Sequence, residues 1–297
     1  MSRRLFLLAA GLIVAAAPVA AETAPGASGI ATAASEATAT AADAGADKAT
    51  AGIEWRQLLQ VLFGDRPIAA ASPEVLTLEA PGRAEDAATV PIAIRSRFEQ
   101  TATRYVKTVY LVIDRNPSPV AATFRLTPES GRADLETRVR IEQYSFVRAI
   151  VELHDGSLHM ATRFVKASGG CSAPTGKDPA AAAANLGRMK LRAFGAEAGA
   201  TGEPVRVQLM ISHPNTSGLA IDQFSRHYPA PHFVRQITVR YRDKAVLIGE
   251  VNFSISENPN FRFYVRPEDG GELRAEVEDT AGRKFESSVM IGTGGSN

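Results

Sequence analysis

The sequence contains a single cysteine, Cys171, among its 297 residues, so no disulfide can form within the chain. It also lacks a charge excess, with 33 basic and 32 acidic residues. A chain without a strong basic balance is not suited to nucleic acid or anionic lipid, and we expect no nucleic-acid partner. Beyond the N-terminal segment no apolar run is long enough to span a bilayer. We therefore expect no membrane contact once that segment, a signal peptide described next, is cleaved.

The N-terminus has the three parts of a secretory signal. Arg3 and Arg4 supply positive charge, an apolar run extends from Leu5 to Ala17, and small residues end at Ala21. We predict a signal peptide over residues 1–21, removed on export to the periplasm. Residues 22–52 are mostly Ala, Thr, Gly, Ser and Asp, a composition that cannot bury enough apolar surface to fold, and we expect a disordered leader.

The remaining chain divides into two strand-rich halves. Apolar residues at helical spacing predict a short helix that starts at Ile53 and ends near Gly64. Short runs of alternating or continuous apolar residues, separated by Gly, Pro, Asn and Asp, then predict seven strands in residues 53–171 and six in residues 204–293. The fold class is therefore mainly β, with two immunoglobulin-like β-sandwich domains whose edges or faces contact each other. The turn Asp155-Gly156 predicts a hairpin just before the cysteine.

Residues 172–203 have the Ala- and Gly-rich composition of a linker. Within it, Asp178 is a suitable N-cap and Pro179 a suitable first helical residue. Strong helix formers continue from Ala180 to Arg192, and Gly195 follows. We therefore predict one helix inside the linker, lying lightly on a domain surface.

Cys171 follows Gly169 and Gly170, directly after a predicted strand. Glycine allows backbone conformations that other residues avoid, so the pair predicts a flexible arm that lets the thiol protrude. We interpret Cys171 as an attachment point for covalent cargo, with an incidental thiol as the alternative. Lys166 and Lys177 flank the motif and would favour the thiolate if they approach it.

The sequence shows no catalytic constellation or cofactor motif, and we predict a non-enzymatic protein without a cofactor. His154 and His159 lie near the cysteine on the preceding hairpin, but neither is placed as the base of a nucleophilic cysteine. The five histidines have no short ligand spacing, so a metal site would have to be assembled by the fold. His213-Pro214 predicts a structural turn, or a restricted loop that faces the arm.

Several stretches resemble SoxY, the thiol-bearing subunit of the sulfur-oxidation carrier, and its partner SoxZ. The SoxY-like stretches are Asn116–Phe124, Thr127-Pro128, Asp155-Gly156 and Gly169–Cys171. The SoxZ-like stretches are Ile211–Pro214, Ser256–Pro259, Phe263–Val265 and Asp279–Val289. The resemblance covers nearly the whole chain beyond Gly52, and implies a sulfur intermediate bound to Cys171 and passed among periplasmic redox or sulfur-transfer enzymes.

The fusion of the two halves resembles a branch of this family that is associated with quinoprotein dehydrogenases. The sequence of the arm from Gly169 to Pro174 resembles the arm of that branch as well. The resemblance thus implies such a dehydrogenase as a candidate partner. Here the arm does not end the chain, because Ser172, Ala173 and Pro174 lead into the SoxZ-like half, and Pro174 restricts the loop. Two functions stay open: a covalent carrier, and a binding adaptor or maturation partner of a quinoprotein dehydrogenase.

Overall fold

A computed structural model describes residues 53–174, 179–195, 202–221 and 226–292. The predicted signal peptide and leader lie outside these residues. The helical elements are α1 (Ile53–Phe63), a short 3-10 helix (Pro128–Ser130) and α2 (Pro179–Ala184). The strands are β1 (Ile68–Ala70), β2 (Thr77–Glu79), β3 (Val90–Arg95), β4 (Val106–Ile113), β5 (Val120–Leu126), β6 (Leu135–Val139), β7 (Ser145–Leu153), β8 (Leu158–Val165), β9 (Met189–Phe194), β10 (Val205–Ile211), β11 (Val234–Tyr241), β12 (Lys244–Val251), β13 (Asn260–Val265), β14 (Gly271–Asp279) and β15 (Lys284–Ile291).

Two sheets are each built from both halves of the sequence. The larger has the order β1-β8-β7-β4-β5-β12-β11-β14-β15, and the smaller β2-β3-β6-β13-β10-β9. The halves join where β5 pairs antiparallel with β12 and β6 with β13. At the first junction Gly249 lies opposite Phe124, and a Cβ on this glycine would come within 3.0 Å of the Phe124 ring. The missing side chain therefore lets the aromatic ring pack across the junction.

One continuous core fills the space between the sheets and includes residues of both halves. Strand alternation supplies it: in β13, Phe261, Phe263 and Val265 are buried while the residues between them are more exposed. A smaller cluster lies under α1, where Trp55 and Phe63 pack on strand residues of the larger sheet. All the described residues belong to one unit, Ala49–Asn297.

The predicted fold class is confirmed: the chain is mostly β, with two sheets forming sandwich-like folds and a short N-terminal helix. The predicted hairpin at Asp155-Gly156 joins β7 and β8 as expected. The linker helix was predicted too long, because it ends at Ala184 and β9 follows. In β9, Leu191 is buried and its neighbours Lys190 and Arg192 are exposed, so pairing with β10 overrides their helix propensity. The domain limits stay predictions.

Neither helix in the described parts of the chain combines the length and apolarity needed to cross a bilayer.

Candidate functional site

The segment containing Cys171 leaves β8 and lies beside the chain that follows β6. Backbone N–H groups of Gly169 and Gly170 donate to the carbonyl oxygens of Glu142 and Ile141, at 2.8 and 2.9 Å. Gly169 has φ of 80°, which favours glycine. A Cβ on Gly170 would lie 2.6 Å from the carbonyl carbon of Ala87 and 2.7 Å from the nitrogen of Ile141. In this conformation Gly170 is therefore needed for the close approach of the backbone, and Gly169 for its positive φ.

The Glu142 carboxylate holds the cysteine segment in place. Its Oε2 accepts hydrogen bonds from the backbone N–H groups of Cys171 (2.9 Å) and Ser172 (3.1 Å). Its Oε1 accepts from the Ser172 hydroxyl at 2.7 Å. Hydrogen bonds to a charged acceptor are stronger than neutral ones, so one carboxylate with three donors is a firm attachment. The same side chain borders a groove of about 530 Å³ that Trp55 and Asn116 also line.

The second half of the chain supplies the other wall of the site. The hydroxyl of Ser217 donates to the carbonyl oxygen of Cys171 at 2.5 Å. Pro214, in the same loop, accepts from Arg140 Nη2 at 3.5 Å. The loop after His213 therefore faces the cysteine segment, one of the two roles predicted for it.

A buried asparagine positions the charged residues around the thiol. Asn116 Nδ2 donates to the carbonyl oxygen of Arg140 at 2.8 Å, and its Oδ1 accepts from the Glu142 N–H at 2.9 Å. The Asn116 amide also donates to the Ser254 hydroxyl at 3.1 Å. Because Ser254 belongs to the second half, the positions of Arg140 and Glu142 depend on both halves being present.

Cys171 is fully buried, with 0% of its surface exposed. Burial, and then the negative charge of Glu142, raise the pKa of the thiol to about 12, against the opposing charge of Arg140. The prediction that the thiol protrudes is therefore wrong for this conformation. The two glycines indicated a flexible segment. The groups that hold this segment, a carboxylate and backbone carbonyls, lie far from it in the sequence, so the local pattern did not indicate burial.

The sequence indicated Lys166 and Lys177 as cations that would favour the thiolate if they approach it, and did not indicate Arg140. Arg140 interacts electrostatically with Cys171. Lys177 lies outside the described residues. The two histidines of the hairpin have other neighbours: the His154 ring lies 5.8 Å from that of Tyr105, and a His159 ring nitrogen is 3.2 Å from the Ser157 hydroxyl.

The fold brings His213, His232 and Asp279 together beside the loop that faces the cysteine. Their ligand atoms lie within 4.8 Å of one another, a grouping that sequence spacing could not indicate. Asp279 Oδ2 is 2.8 Å from Nε2 of His232 and 3.5 Å from Nε2 of His213. His213 Nδ1 accepts the Asn215 N–H at 3.0 Å, so in the neutral ring the proton resides on Nε2. Nε2 of His213 makes no hydrogen bond among the described residues, so only the contacts of Asp279 with His232 and of Asn215 with His213 are hydrogen bonds here.

Burial and these neighbours set the charge states of His213 and Asp279. Burial and the neighbouring His232 lower the pKa of His213 to about 4, despite the opposing effect of Asp279. Burial alone would raise the pKa of Asp279, but hydrogen bonds from His232 and from the backbone of Arg283 and Ala281 hold it below its usual value. A neutral histidine thus faces an ionised carboxylate at neutral pH.

Sequence reasoning singled out Cys171, Gly169 and Gly170 but missed Arg140, Glu142 and Ser217. Glu142 is 29 residues before the cysteine and Ser217 is 46 residues after it. The segment between β6 and β7 shows no pattern that distinguishes these residues from ordinary surface charges. The pairing of sheets from both halves is what places them at the thiol.

Two protein families match the chain. Residues 59–171 match the family described as sulfur oxidation protein SoxY. Residues 193–290 match the family described as sulphur oxidation protein SoxZ. The chain carries a SoxY domain and a SoxZ domain in tandem. The match to SoxY ends at Cys171, and the match to SoxZ begins within β9. The thiol is therefore the last residue of the SoxY match, just before the stretch that joins the two domains.

Solved structures resemble parts of the SoxY–SoxZ chain. The sulfur carrier protein SoxY from Chlorobium limicola f thiosulfatophilum is 23% identical, with a TM-score of 0.33 over 39% of this chain and 96% of that one. A superoxide reductase (neelaredoxin) from Ignicoccus hospitalis is 13% identical, with a TM-score of 0.29 over 32% of this chain and 80% of that one. No curated protein matches the sequence significantly.

Proposed function

We propose that this SoxY–SoxZ chain is a periplasmic carrier that holds a sulfur-containing group covalently on Cys171 and presents it to partner enzymes. The observation that carries the proposal is the position of the single cysteine at the end of the SoxY match, enclosed by charged and polar residues of both domains. A carrier needs no catalytic base of its own, because its partners supply the chemistry.

The buried thiol fits a resting state of such a carrier. A protonated thiol is a poor nucleophile and resists oxidation, so burial and the high pKa protect Cys171 in an oxidising compartment. Loading then requires the segment to leave Glu142 and Ser217, the two side chains that anchor its backbone. We propose that a partner enzyme opens this segment when it binds.

The burial of Cys171 also favours a second candidate, a binding adaptor or maturation partner of a quinoprotein dehydrogenase. An adaptor would use the fused sheets as a docking platform and would not need a reactive thiol. Because Ser172 and Pro174 continue the chain, the segment is tethered at both ends, which shortens its reach.

Intact mass spectrometry of protein purified from its native compartment without reductant tests the carrier. A reducible mass adduct that peptide mapping confines to Cys171 supports carriage and identifies the cargo by its mass. A bare thiol under all growth conditions favours the adaptor. Cys171→Ser is the matched variant: the carrier loses function with folding intact, whereas the adaptor retains function.

A further inference from the structure

The cluster of His213, His232 and Asp279 in the SoxZ domain contains a polar atom without a partner. The side chains of His213 and Asp279 are fully buried, and that of His232 is 25% exposed. Nε2 of His213 is buried, and within the described part of the chain nothing hydrogen-bonds to it. A buried polar atom without a partner is costly, so the protein atoms alone leave this cluster incomplete.

The carboxylate of Asp279 is oriented with one oxygen toward both rings. Its Oδ1 accepts the backbone N–H groups of Ala281 and Arg283, both at 2.9 Å. Its Oδ2 lies 2.8 Å from Nε2 of His232 and 3.5 Å from Nε2 of His213. His232 alone is enough to pair with this oxygen. A structural pair of one carboxylate and one histidine therefore does not account for the second, buried ring.

Backbone hydrogen bonds hold the three side chains near one another. The N–H of Thr216 donates to the carbonyl oxygen of His232 at 2.8 Å, and the N–H of His232 donates to that of Thr216 at 3.0 Å. These bonds tie the loop after His213 to the chain before β11. The N–H of Thr280 donates to the carbonyl oxygen of Phe233 at 2.9 Å, which ties the end of β14 to the same place. A site arranged in advance binds its ligand at a lower entropic cost.

We propose that this cluster is a Zn²⁺ site, with Nε2 of His213, Nε2 of His232 and Oδ2 of Asp279 as ligands. Zinc takes imidazole and carboxylate ligands in proteins, whereas Mg²⁺ and Ca²⁺ prefer oxygen ligands alone. The ligand atoms of a tetrahedral zinc ion lie roughly 3.3 Å apart, since each is about 2.0 Å from the metal. The observed 2.8 and 3.5 Å lie on either side of that value. Solvent reaches the cluster beside the partly exposed His232, where a water molecule would complete the tetrahedron.

Metal binding changes the position of the proton on each ring. Nδ1 of His213 accepts the Asn215 N–H, so without a metal the ring proton is on Nε2. The 2.8 Å contact with the Asp279 carboxylate places the His232 proton on Nε2 as well. When Nε2 binds the metal, that proton leaves and each ring takes up a proton on Nδ1. The Asn215 N–H must then turn away from His213, which exchanges one neutral hydrogen bond for a metal–nitrogen bond.

A metal ion at this position would hold one wall of the cysteine site. It would join the loop after His213 to the chain that precedes β11 and to the end of β14. The same loop carries Ser217, whose hydroxyl donates to the carbonyl oxygen of Cys171. The proposal does not depend on the carrier function, because a structural metal ion would serve a carrier and an adaptor equally.

The test uses the full-length mature chain with Cys171→Ser, so that a thiol cannot capture the metal. After treatment with a chelator, the protein is titrated with Zn²⁺ in competition with a chromophoric zinc indicator. We expect one Zn²⁺ per chain and a higher melting temperature with the metal than without it. Co²⁺ in place of Zn²⁺ should show the strong visible bands of a four-coordinate ion. Mg²⁺ should give neither effect.

Two histidine variants locate the site. His232→Gln removes the partly exposed ligand, and we expect its Zn²⁺ affinity to fall about a hundredfold and its melting temperature to stop responding to the metal. The matched control is His154→Gln, which changes an exposed histidine next to the β7–β8 turn and should bind Zn²⁺ like the parent. No stoichiometric binding in the parent overturns the proposal. Binding that His232→Gln keeps in full, or that His154→Gln loses, also overturns it.

The Asn215 amide gives a readout that needs no variant, in case His232→Gln does not fold. Its NMR signal should shift on addition of one equivalent of Zn²⁺, because metal binding at Nε2 of His213 displaces this N–H from Nδ1. The amide of Gly156, in the β7–β8 turn, is the control and should not shift. Zinc binding that leaves the Asn215 signal unchanged, or a bound Co²⁺ with the weak bands of a six-coordinate ion, would contradict the proposed ligands.

Discussion

Alkylation of Cys171 by iodoacetamide should be slow in the native protein and fast after unfolding. The thiolate is the species that reacts. Burial and the Glu142 charge raise the pKa of the thiol from 9.0 to about 12. At pH 7 this difference lowers the thiolate fraction about a thousandfold. Complete burial adds a steric barrier, so the native rate should fall at least that far below the rate of the unfolded chain.

Intact mass spectrometry measures both rates at one pH, with and without denaturing urea. The unfolded protein is the control, because its thiol has the same chemistry without the enclosing residues. A native rate within about tenfold of the unfolded rate would refute the reasoning, since it would mean that the segment opens too easily for burial and Glu142 to control the thiol. A partner enzyme that accelerates alkylation of native protein would identify the event that opens the segment.

Three further outcomes follow from the same contacts. Glu142→Gln should lower the free energy of unfolding by about 2 kcal/mol and speed native alkylation of Cys171 about tenfold, because a neutral amide replaces a charged acceptor; urea titration and alkylation kinetics check this. Gly170→Ala should expose the thiol, as a Cβ there overlaps neighbouring backbone, whereas the control Gly169→Ala meets open space and should cost only about 1 kcal/mol of backbone strain. Lowering the pH from 6.5 to about 4 should reduce the free energy of unfolding by up to about 3 kcal/mol. The reason is that His213 takes up a proton near pH 6.5 in the unfolded chain, whereas its buried ring in the folded protein stays neutral until about pH 4. This contribution to stability is complete above pH 6.5 and is lost as the pH falls. A urea midpoint that does not change over this pH range would contradict the assignment, and so would a His213→Gln variant with the same pH dependence as the parent protein.

Local patterns in the sequence determined most of the strands and the class of fold. Alternation of apolar residues, and turn residues such as Asp155-Gly156, depend only on neighbours along the chain, so they could be read directly. The exceptions were the three-residue strand β1 and strand β9, whose residues have good helix propensity. The strand conformation of β9 comes from pairing with β10, a contact that local propensity does not contain.

The sequence by itself determined that one thiol, Cys171, is the chemically distinctive group and that two glycines precede it. Only the tertiary structure decided that this thiol is buried, protonated and held by Glu142. The physical reason is that burial and pKa depend on atoms brought together from distant parts of the chain. The pairing of β5 with β12 and of β6 with β13 makes one enclosure from two domains, and places both Arg140 and Ser217 in contact with the cysteine segment.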